Sequence, residues 1–271
     1  MRRAAAVLIA CLLAAPAAAA QSAAPAPDTA TAPPRSTWTA TDSWLSAGFV
    51  VATIAVMPAD EKVAAWAQSP SVQSGANTST VKFFNAYGGY GVLIASLGTY
   101  GVARLAGSRP WSEIGLRATE AIVLSGAATA VLKGVIGRQR PYVDIHDSHY
   151  YVFGAGFGND SMSSMPSGHT TAAFAFAASV TDEVHYYWPK QTWWVATLTY
   201  GSAVAVGMAR IYSNAHWTSD VIAGAGVGTI SGLVVTRWHR AHPGNKLDQW
   251  LLPSSAVPTK NGLAVTWSRT F

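Results

Sequence analysis

Three short polar segments of this 271-residue chain carry the side-chain types that bind and cleave phosphate esters. They span residues 133–141, 166–169 and 210–220, and together they supply several cations, two histidines and a carboxylate. Only 11% of the sequence is charged, so charged groups that recur beside apolar segments need a chemical reason. Phosphate-ester hydrolysis uses all of these groups, and it is the chemistry that the pattern predicts.

The first segment is predicted to place two cations on one face of a helix. Lys133 and Arg140 are seven residues apart in the sequence, close to two helical turns. Pro141 lacks a backbone N–H, and we expect it to end that helix, with Arg140 at the C-terminal end. The guanidinium of an arginine can donate hydrogen bonds to two phosphate oxygens, while the ammonium of a lysine acts as a compact point charge. This pair therefore indicates an anion site.

The second segment is predicted to start a helix. Ser167 and Gly168 precede an apolar run at residues 170–180. Exposed backbone amides at a helix start favour an anion, and glycine does not block its close approach. His169 directly follows Gly168 at this helix start, so its imidazole is expected beside that anion.

The third segment pairs a histidine with a carboxylate. His216 and Asp220 are spaced i,i+4, so on a helix the carboxylate can hold one imidazole nitrogen. That contact would fix the tautomer and leave the other nitrogen free to attack. Arg210 adds a further cation just before this pair.

In this order the segments resemble the type 2 phosphatidic acid phosphatase (PAP2) family, which includes bacterial acid phosphatases and vanadium haloperoxidases. The family pattern is K-x6-R-P, then P-S-G-H, then S-R-x5-H-x3-D. All three parts occur here, with one departure: Ala209 replaces the serine that precedes the arginine. The resemblance covers residues 121–235.

The resemblance implies a role for each residue of the pattern. His216 would be the nucleophile that forms a phosphohistidine, Asp220 would orient it, and His169 would protonate the leaving group and later activate water. One imidazole must be neutral and the other protonated, which predicts a bell-shaped pH profile. No metal or cofactor is required, because cations take its place. The expected phosphate ligands are Lys133, Arg140, Ser167, Gly168 and Arg210.

The N-terminus has the pattern of an export signal over residues 1–20, with Arg2 and Arg3 before an apolar run and an alanine-rich site for cleavage after Ala20. Lipidation at Cys11 is the alternative. This is the only cysteine, so cleavage would leave a mature protein without thiols. Residues 21–40 are rich in Ala, Pro and Thr and are predicted to be a disordered linker.

The remainder is predicted to be all-α: a single helical bundle of about six helices over residues 41–242. The expected helices are at residues 43–57, 83–105, 114–136, 170–180, 192–209 and 219–238. Residues 243–271 form a tail of unknown role, and its end, 262–271, alternates like a short strand.

Whether the bundle crosses a membrane is left open by the sequence. Several segments are apolar for about fifteen to twenty residues, borderline for a bilayer. Three of them precede Arg140, so a cleaved signal followed by three crossings would put the site in the cytoplasm. Either one early segment, best residues 43–57, does not cross, or the bundle is soluble or peripheral. The net charge of +5 suits an anionic substrate or surface.

Other candidate sites are weaker. The polar residues Asp144, His146, Asp147 and His149 lack ligand spacing and are predicted to lie in a solvated loop rather than at a metal. Nearby aromatic residues, Tyr150, Tyr151 and Phe153, fit a substrate pocket or core packing. No basic stripe with interleaved aromatics suggests nucleic acid.

These features predict an exported, metal-independent phosphatase that hydrolyses phosphomonoesters or pyrophosphates on the outer side of the inner membrane. Lipid phosphates are favoured as substrates because apolar, Trp-rich walls suit an acyl chain. The alternatives are a soluble periplasmic acid phosphatase of broad specificity, a vanadate-dependent haloperoxidase, and an envelope protein that binds lipid phosphates without catalysis. Oligomeric state is not indicated by the sequence.

Overall fold

A computed structural model describes residues 36–75, 78–252, 255–259 and 262–266. Within these residues the fold is an all-α bundle, as the sequence predicted, followed by one pair of antiparallel strands. The predictions of an export signal at residues 1–20, of cleavage after Ala20, of lipidation at Cys11 and of most of the linker at 21–40 lie outside the described residues.

The helices of the described residues are numbered in chain order: α1 (Ala40–Val56), α2 (Asp60–Ala67), α3 (Pro70–Gly75), α4 (Thr78–Ala86), α5 (Val92–Leu105), α6 (Arg109–Ile136), α7 (Gly168–Tyr187), α8 (Thr192–Tyr212), α9 (Thr218–Ala241) and α10 (Lys246–Leu251). A π-helical segment, Tyr87–Gly91, joins α4 to α5. Short 3-10 turns occur at Met57–Ala59, Ala155–Phe157, Asp160–Met162 and Pro189–Gln191. Strands β1 (Ser255–Thr259) and β2 (Gly262–Thr266) pair antiparallel.

All six predicted helices are present, as α1, α4 with α5, α6, α7, α8 and α9. The prediction for α7 ended too early, because polar residues after residue 180 resemble a helix end. In the structure the carboxylate of Glu183 is fully buried and pairs with Arg117 at 2.7 Å and Arg240 at 2.7 Å. A paired buried carboxylate is compatible with a helix interior, so the helix continues to Tyr187.

The alternating C-terminal end is a strand at Gly262–Thr266, as predicted. Its partner strand was not predicted, because Pro258 was read as a breaker. The tail also returns to the bundle before this hairpin. Buried His239 lies 2.9 Å from Asp248 of α10 and contacts Glu120 on its other nitrogen.

Helix α7 is the centre of the bundle and packs most extensively against α9, α8 and α6. Helices α7 and α9 run parallel and approach closely through glycine. A Cβ on Gly228 would lie 2.3 Å from the carbonyl oxygen of Thr171, and one on Gly232 would lie 2.7 Å from Cβ of Ala178. This packing fixes the N-termini of both helices at the same end of the bundle.

Three helical segments among the described residues are long and apolar enough to cross a membrane: Ala40–Ala67, Arg109–Ile136 and Thr218–Ala241. The first of them exposes large apolar side chains, including Trp44, Val51 and Ile54. Exposed apolar surface on a long helix suits lipid contact.

Two glycines on α6 provide a matched test of this packing. A Cβ on Gly115 would lie 2.4 Å from the backbone nitrogen of Tyr100 on α5, whereas one on Gly126 meets nothing within 4 Å. We expect Gly115→Ala to reduce the free energy of unfolding by about 1–3 kcal/mol through overpacking. Gly126→Ala is expected to be neutral or stabilising by up to about 1 kcal/mol. Thermal unfolding in detergent measures both, and equal unfolding temperatures would contradict the close approach of α5 and α6.

Candidate active site

The first cation pair does not share a helix. Helix α6 ends at Ile136, where Gly137 adopts a left-handed conformation with φ 57°. A Cβ there would lie 1.8 Å from the carbonyl oxygen of Val152, so only glycine fits this turn. The prediction that Pro141 ends the helix is therefore wrong, and Arg140 lies in the loop beyond it.

The structure nevertheless brings the two cations together through Ser163. The ammonium of Lys133 donates to the carbonyls of Ser163 and Ser164. The guanidinium of Arg140 donates to Ser163 Oγ at 3.1 Å and to Asp160 Oδ1 at 2.9 Å. The two cations converge through the loop fold and not through helical periodicity.

The second segment starts α7, as predicted. Ser167 is the N-cap residue and is fully buried, its Oγ accepts from Thr170 at 3.0 Å, and its backbone N–H donates to the carbonyl of Asp220 at 2.9 Å. A Cβ on Gly168 would lie 3.7 Å from Cε of Lys133. The lysine therefore lies over the positive end of the α7 dipole, which together with it favours an anion.

The imidazole of His169 packs against the π-helical segment. A Cβ on Gly89 would lie 3.1 Å from His169 Nε2, and one on Gly88 would lie 2.3 Å from a methyl carbon of Val206. The sequence analysis missed this glycine pair. Its signal is a run of three glycines in five residues inside an apolar helical segment, and π-helical turns are frequent at functional sites.

Arg210 lies in the last turn of α8 and is oriented by a residue that was also missed. Its Nη1 donates to Asn85 Oδ1 at 2.9 Å. Its Nε is buried and has no hydrogen-bond partner within the part of the chain that the structure describes. A buried donor of this kind suits an anionic acceptor.

His216 precedes α9 instead of lying on it. The helix begins at Thr218 with Trp217 as its N-cap residue, and Asp220 Oδ2 accepts from the backbone N–H of Trp217 at 2.9 Å. The predicted helical i,i+4 geometry is therefore wrong. His216 Nδ1 and Asp220 Oδ2 still face each other at 3.8 Å, a distance longer than a hydrogen bond.

Asp220 is held in place by a buried arginine that the sequence analysis did not assign. Arg138, 1% exposed, donates from Nη1 to Asp220 Oδ1 at 2.7 Å and from Nη2 to Asp60 Oδ2 at 2.9 Å. Ser164 Oγ donates to the other oxygen of Asp220 at 2.5 Å. The available signal was a second arginine inside the first motif and an acidic residue just after the first apolar helix.

The pKa values of both imidazoles are lowered by burial and by two shared cations, Lys133 and Arg140. Burial, the largest cause, lowers the pKa of His216 to about 3, with Lys133 and Arg140 acting in the same direction and Asp220 opposing them. Burial also lowers the pKa of His169 to about 4, reinforced by Arg210, Lys133 and Arg140. The candidate nucleophile is therefore neutral at pH 7 and able to attack. A phosphate dianion among the cations would offset their effect and raise the pKa of His169.

The remaining predictions concern the loop after α6. The exposed His146 donates its backbone N–H to Asp144 at 2.9 Å, and His149 donates likewise to Asp147 at 3.1 Å, so the two carboxylates cap turns in a solvated loop.

The aromatic side chains of this loop do not pack in the core. Phe153 is 83% exposed and Tyr150 is 46% exposed. Tyr151 is also partly exposed and faces the guanidinium of Arg138, with 5.4 Å between that group and the ring centroid.

The chain resembles known phosphatases over the region that contains this site. Residues 115–243 match the PAP2 superfamily. Lipid A 1-phosphatase of Porphyromonas gingivalis is 29% identical over 140 residues, which are 52% of this chain and 27% of that protein. Lipid A 1-phosphatase of Rhizobium johnstonii is 36% identical over 107 residues, 40% of each chain, and that of Rhizobium etli is 36% identical over 117 residues, 43% of this chain and 47% of that one. The chain thus spans less than half the length of these curated relatives.

A solved structure shares the fold. The crystal structure of the first transmembrane PAP2-type phosphatidylglycerolphosphate phosphatase from Bacillus subtilis superposes with a TM-score of 0.58 at 20% identity, over 77% of this chain and all of that one. The motifs lie inside the matched region, so residues 115–243, which contain the site, belong to the PAP2 superfamily, and the helical bundle shares the fold of the solved structure.

Proposed function

We propose that this chain is a membrane phosphatase that hydrolyses phosphomonoesters or pyrophosphates of lipids, without a metal, through a phosphohistidine. The observation that carries the proposal is that the three motifs meet at one place. Lys133 and Arg140 both donate to Ser163, and Lys133 lies over Gly168, next to His169. The backbone N–H of Ser167 donates to Asp220, whose carboxylate faces His216. These groups lie at the end of the bundle where α7 and α9 both start, so two helix dipoles add to the positive field.

The proposed reaction has two steps. Nε2 of His216 attacks phosphorus, the P–O bond to the leaving group breaks, and His169 donates a proton to the departing oxygen. His169 then takes a proton from a water molecule whose oxygen attacks phosphorus, and the N–P bond breaks to release phosphate. Asp220 faces Nδ1 of His216 throughout and favours the tautomer with a proton on that nitrogen.

Two features support a lipid substrate. The relatives are named for lipid A, and the structural neighbour is named for phosphatidylglycerolphosphate. Three apolar helices of membrane-crossing length lie in the bundle. A soluble acid phosphatase of broad specificity would have no use for such helices, which makes it the weaker alternative.

The two ends of the bundle differ in composition, and this difference supports one orientation of the bundle in the membrane. Six tryptophans lie at or near the end opposite the site, at the start of α1, between α7 and α8, and near the end of α9: Trp38, Trp44, Trp188, Trp193, Trp194 and Trp238. The same end carries Arg109, Lys190, Arg237 and Arg240. Aromatic belts mark headgroup regions and cations favour the cytoplasmic side. We therefore assign this end to the cytoplasm and the site to the outer side of the inner membrane.

This orientation places the start of α1 on the cytoplasmic side. Asp42, near that start, pairs with Arg237 at 2.5 Å, at the end of α9 remote from the site. A signal cleaved after Ala20 would instead leave the next residues outside. Because α1 starts at the end of the bundle opposite the site, whichever later segments cross, this orientation and a cleavage after Ala20 that leaves the next residues outside are alternatives that exclude each other.

Thiol labelling of intact cells tests the orientation. In a Cys11→Ser background, Phe153→Cys places a thiol in the site-end loop and Trp193→Cys places one at the opposite end, at positions 83% and 73% exposed. A membrane-impermeant maleimide is expected to label Phe153→Cys alone, and both variants after lysis. Labelling of Trp193→Cys alone in intact cells would reverse the orientation.

Substitution of the nucleophile tests the chemistry. We expect His216→Ala to lower kcat for dioleoyl phosphatidic acid in detergent by at least about a thousandfold, since the phosphohistidine cannot form. Acid-labile, base-stable labelling from a ³²P-phosphate substrate should appear in the wild type and be absent in this variant. Activity of the wild type in excess EDTA checks metal independence. Near-wild-type turnover by His216→Ala would remove this residue as nucleophile.

Arg138 is expected to act as a positioning residue. Arg138→Lys keeps one charge but cannot bridge Asp60 and Asp220, so we expect kcat to fall about tenfold or more with little change in KM. Arg140→Lys, at a proposed phosphate contact, is expected to raise KM as well. Circular dichroism checks that both variants retain the helical fold. A rise in KM alone for Arg138→Lys would contradict the positioning role.

A further inference from the structure

A helical segment at residues 85–89, from the end of α4 into the π-helical turn, contacts two groups of the candidate active site. Asn85 Oδ1 accepts from Nη1 of Arg210 at 2.9 Å, and a Cβ on Gly89 would lie 3.1 Å from Nε2 of His169. The two contacting residues are four positions apart in continuous helix, so they lie on the same face. The segment precedes residues 115–243, and the match to the PAP2 superfamily therefore assigns it no role.

The 85–89 segment packs closely against both helices that carry these groups. Gly88 is buried, and a Cβ on it would lie 2.3 Å from a methyl carbon of Val206 on α8. The same Cβ would lie 3.3 Å from the backbone carbonyl oxygen of His169 on α7. Because glycine has no Cβ, the backbone of the segment can approach both helices. The distance from the segment to His169 and to α8 is thereby fixed.

The amide of Asn85 is held from two sides. Its Nδ2 donates to Ser213 Oγ at 2.9 Å, while its Oδ1 accepts from Arg210. A side-chain amide can donate and accept at the same time, so these two bonds fix its orientation. The guanidinium of Arg210 is held through Nη1, whereas its buried Nε has no hydrogen-bond partner among the described residues. The amide therefore orients this cation and leaves a donor for an anion.

Gly89 leaves space at one edge of the His169 ring. Gly89 is exposed, and the imidazole beside it is only partly buried. A Cβ at this position would lie 3.1 Å from Nε2 and 3.4 Å from Cδ2, which is closer than an ordinary van der Waals contact. A methyl group on residue 89 would therefore displace the ring. Transfer of a proton to a leaving oxygen depends on hydrogen-bond geometry, so a displaced ring would be a poorer acid.

We propose that residues 85–89 are a positioning element of the active site: Asn85 orients Arg210 toward the phosphate, and Gly89 keeps free the space in which His169 meets the leaving group. The inference rests on the proposed function and adds to it a segment that lies outside the family-matched residues. Both residues act through a neighbouring side chain, so their substitution has to change the binding of phosphate or the dependence on the leaving group, and not the fold alone.

Two soluble esters of similar size test the role of Gly89. The p-nitrophenolate anion leaves without a proton, whereas the alkoxide of p-nitrobenzyl alcohol needs one. The ratio kcat/KM reports the steps up to the first phosphoryl transfer, and later hydrolysis does not affect it. We expect Gly89→Ala to lower kcat/KM for p-nitrobenzyl phosphate about tenfold or more relative to p-nitrophenyl phosphate. Gly98→Ala on α5, where a Cβ meets nothing within 4 Å, should keep the wild-type ratio.

Inhibition by inorganic phosphate tests the role of Asn85. With dioleoyl phosphatidic acid in detergent as substrate, we expect Asn85→Ala to raise the Ki for phosphate by about threefold to tenfold, because Arg210 loses the hydrogen bond that orients it. The KM should rise in parallel, with a smaller change in kcat. Asn245→Ala is the matched control, since Asn245 caps α10 and accepts from the backbone N–H of Asp248 at 2.9 Å. Its Ki for phosphate should equal that of the wild type.

The two measurements separate the possible failures. An unchanged ratio in Gly89→Ala, an equal fall in both glycine variants, or an unchanged Ki in Asn85→Ala overturns the positioning element while leaving the phosphatase proposal standing. Retained hydrolysis of p-nitrophenyl phosphate shows that Gly89→Ala is folded. If this variant is inactive, or if the wild type cleaves only the lipid, the Ki of Asn85→Ala decides. A wild type that releases phosphate from none of the three substrates sinks the proposed function, and the positioning element with it.

Discussion

The site depends on one buried arginine between two buried carboxylates. Arg138 joins Asp60, just beyond α1, to Asp220 in the first turn of α9, and all three side chains are nearly inaccessible to solvent. A buried charge without a partner is costly, so the three groups are stable only together. The N-terminal helical segment, the loop after α6 and the start of α9 are thereby held in one arrangement, and Asp220 faces His216 as a consequence.

The second constraint is the parallel packing of α7 on α9. Because glycines at 228 and 232 let the backbone of α9 approach the backbone of α7, the two N-termini lie side by side. The backbone N–H of Ser167 donates to the carbonyl of Asp220 at 2.9 Å, so the two helix starts are also directly bonded. Their dipoles point the same way, so the two N-termini together supply positive potential for an anion in a protein that has few charged side chains.

The helices could be predicted from the sequence, while the geometry between the side chains that we propose to bind phosphate could not. Apolar runs of helical length predicted the six long helices, and the order of the motifs indicated phosphate-ester hydrolysis. The positions of Arg140 and His216 were misjudged because residue spacing was converted to helical geometry across helix ends, at Gly137 and Trp217. Arg138, Asp60 and Asn85 were missed because their partners are distant in sequence, and spacing carries no information about such pairs.

The low pKa values of the two imidazoles fit the different roles that we propose for them, provided that bound phosphate raises the pKa of His169. In the mechanism that we propose, His216 has to be neutral to attack, and burial together with the nearby cations keeps its pKa low. His169 has to carry a proton when the leaving group departs, yet the same cations oppose its protonation in the free site. A bound phosphate dianion offsets those cations and favours the imidazolium beside it. In the proposed mechanism His169 is therefore protonated mainly when a phosphate is bound. The two imidazoles would then have different roles because they lie at different positions relative to the same anion.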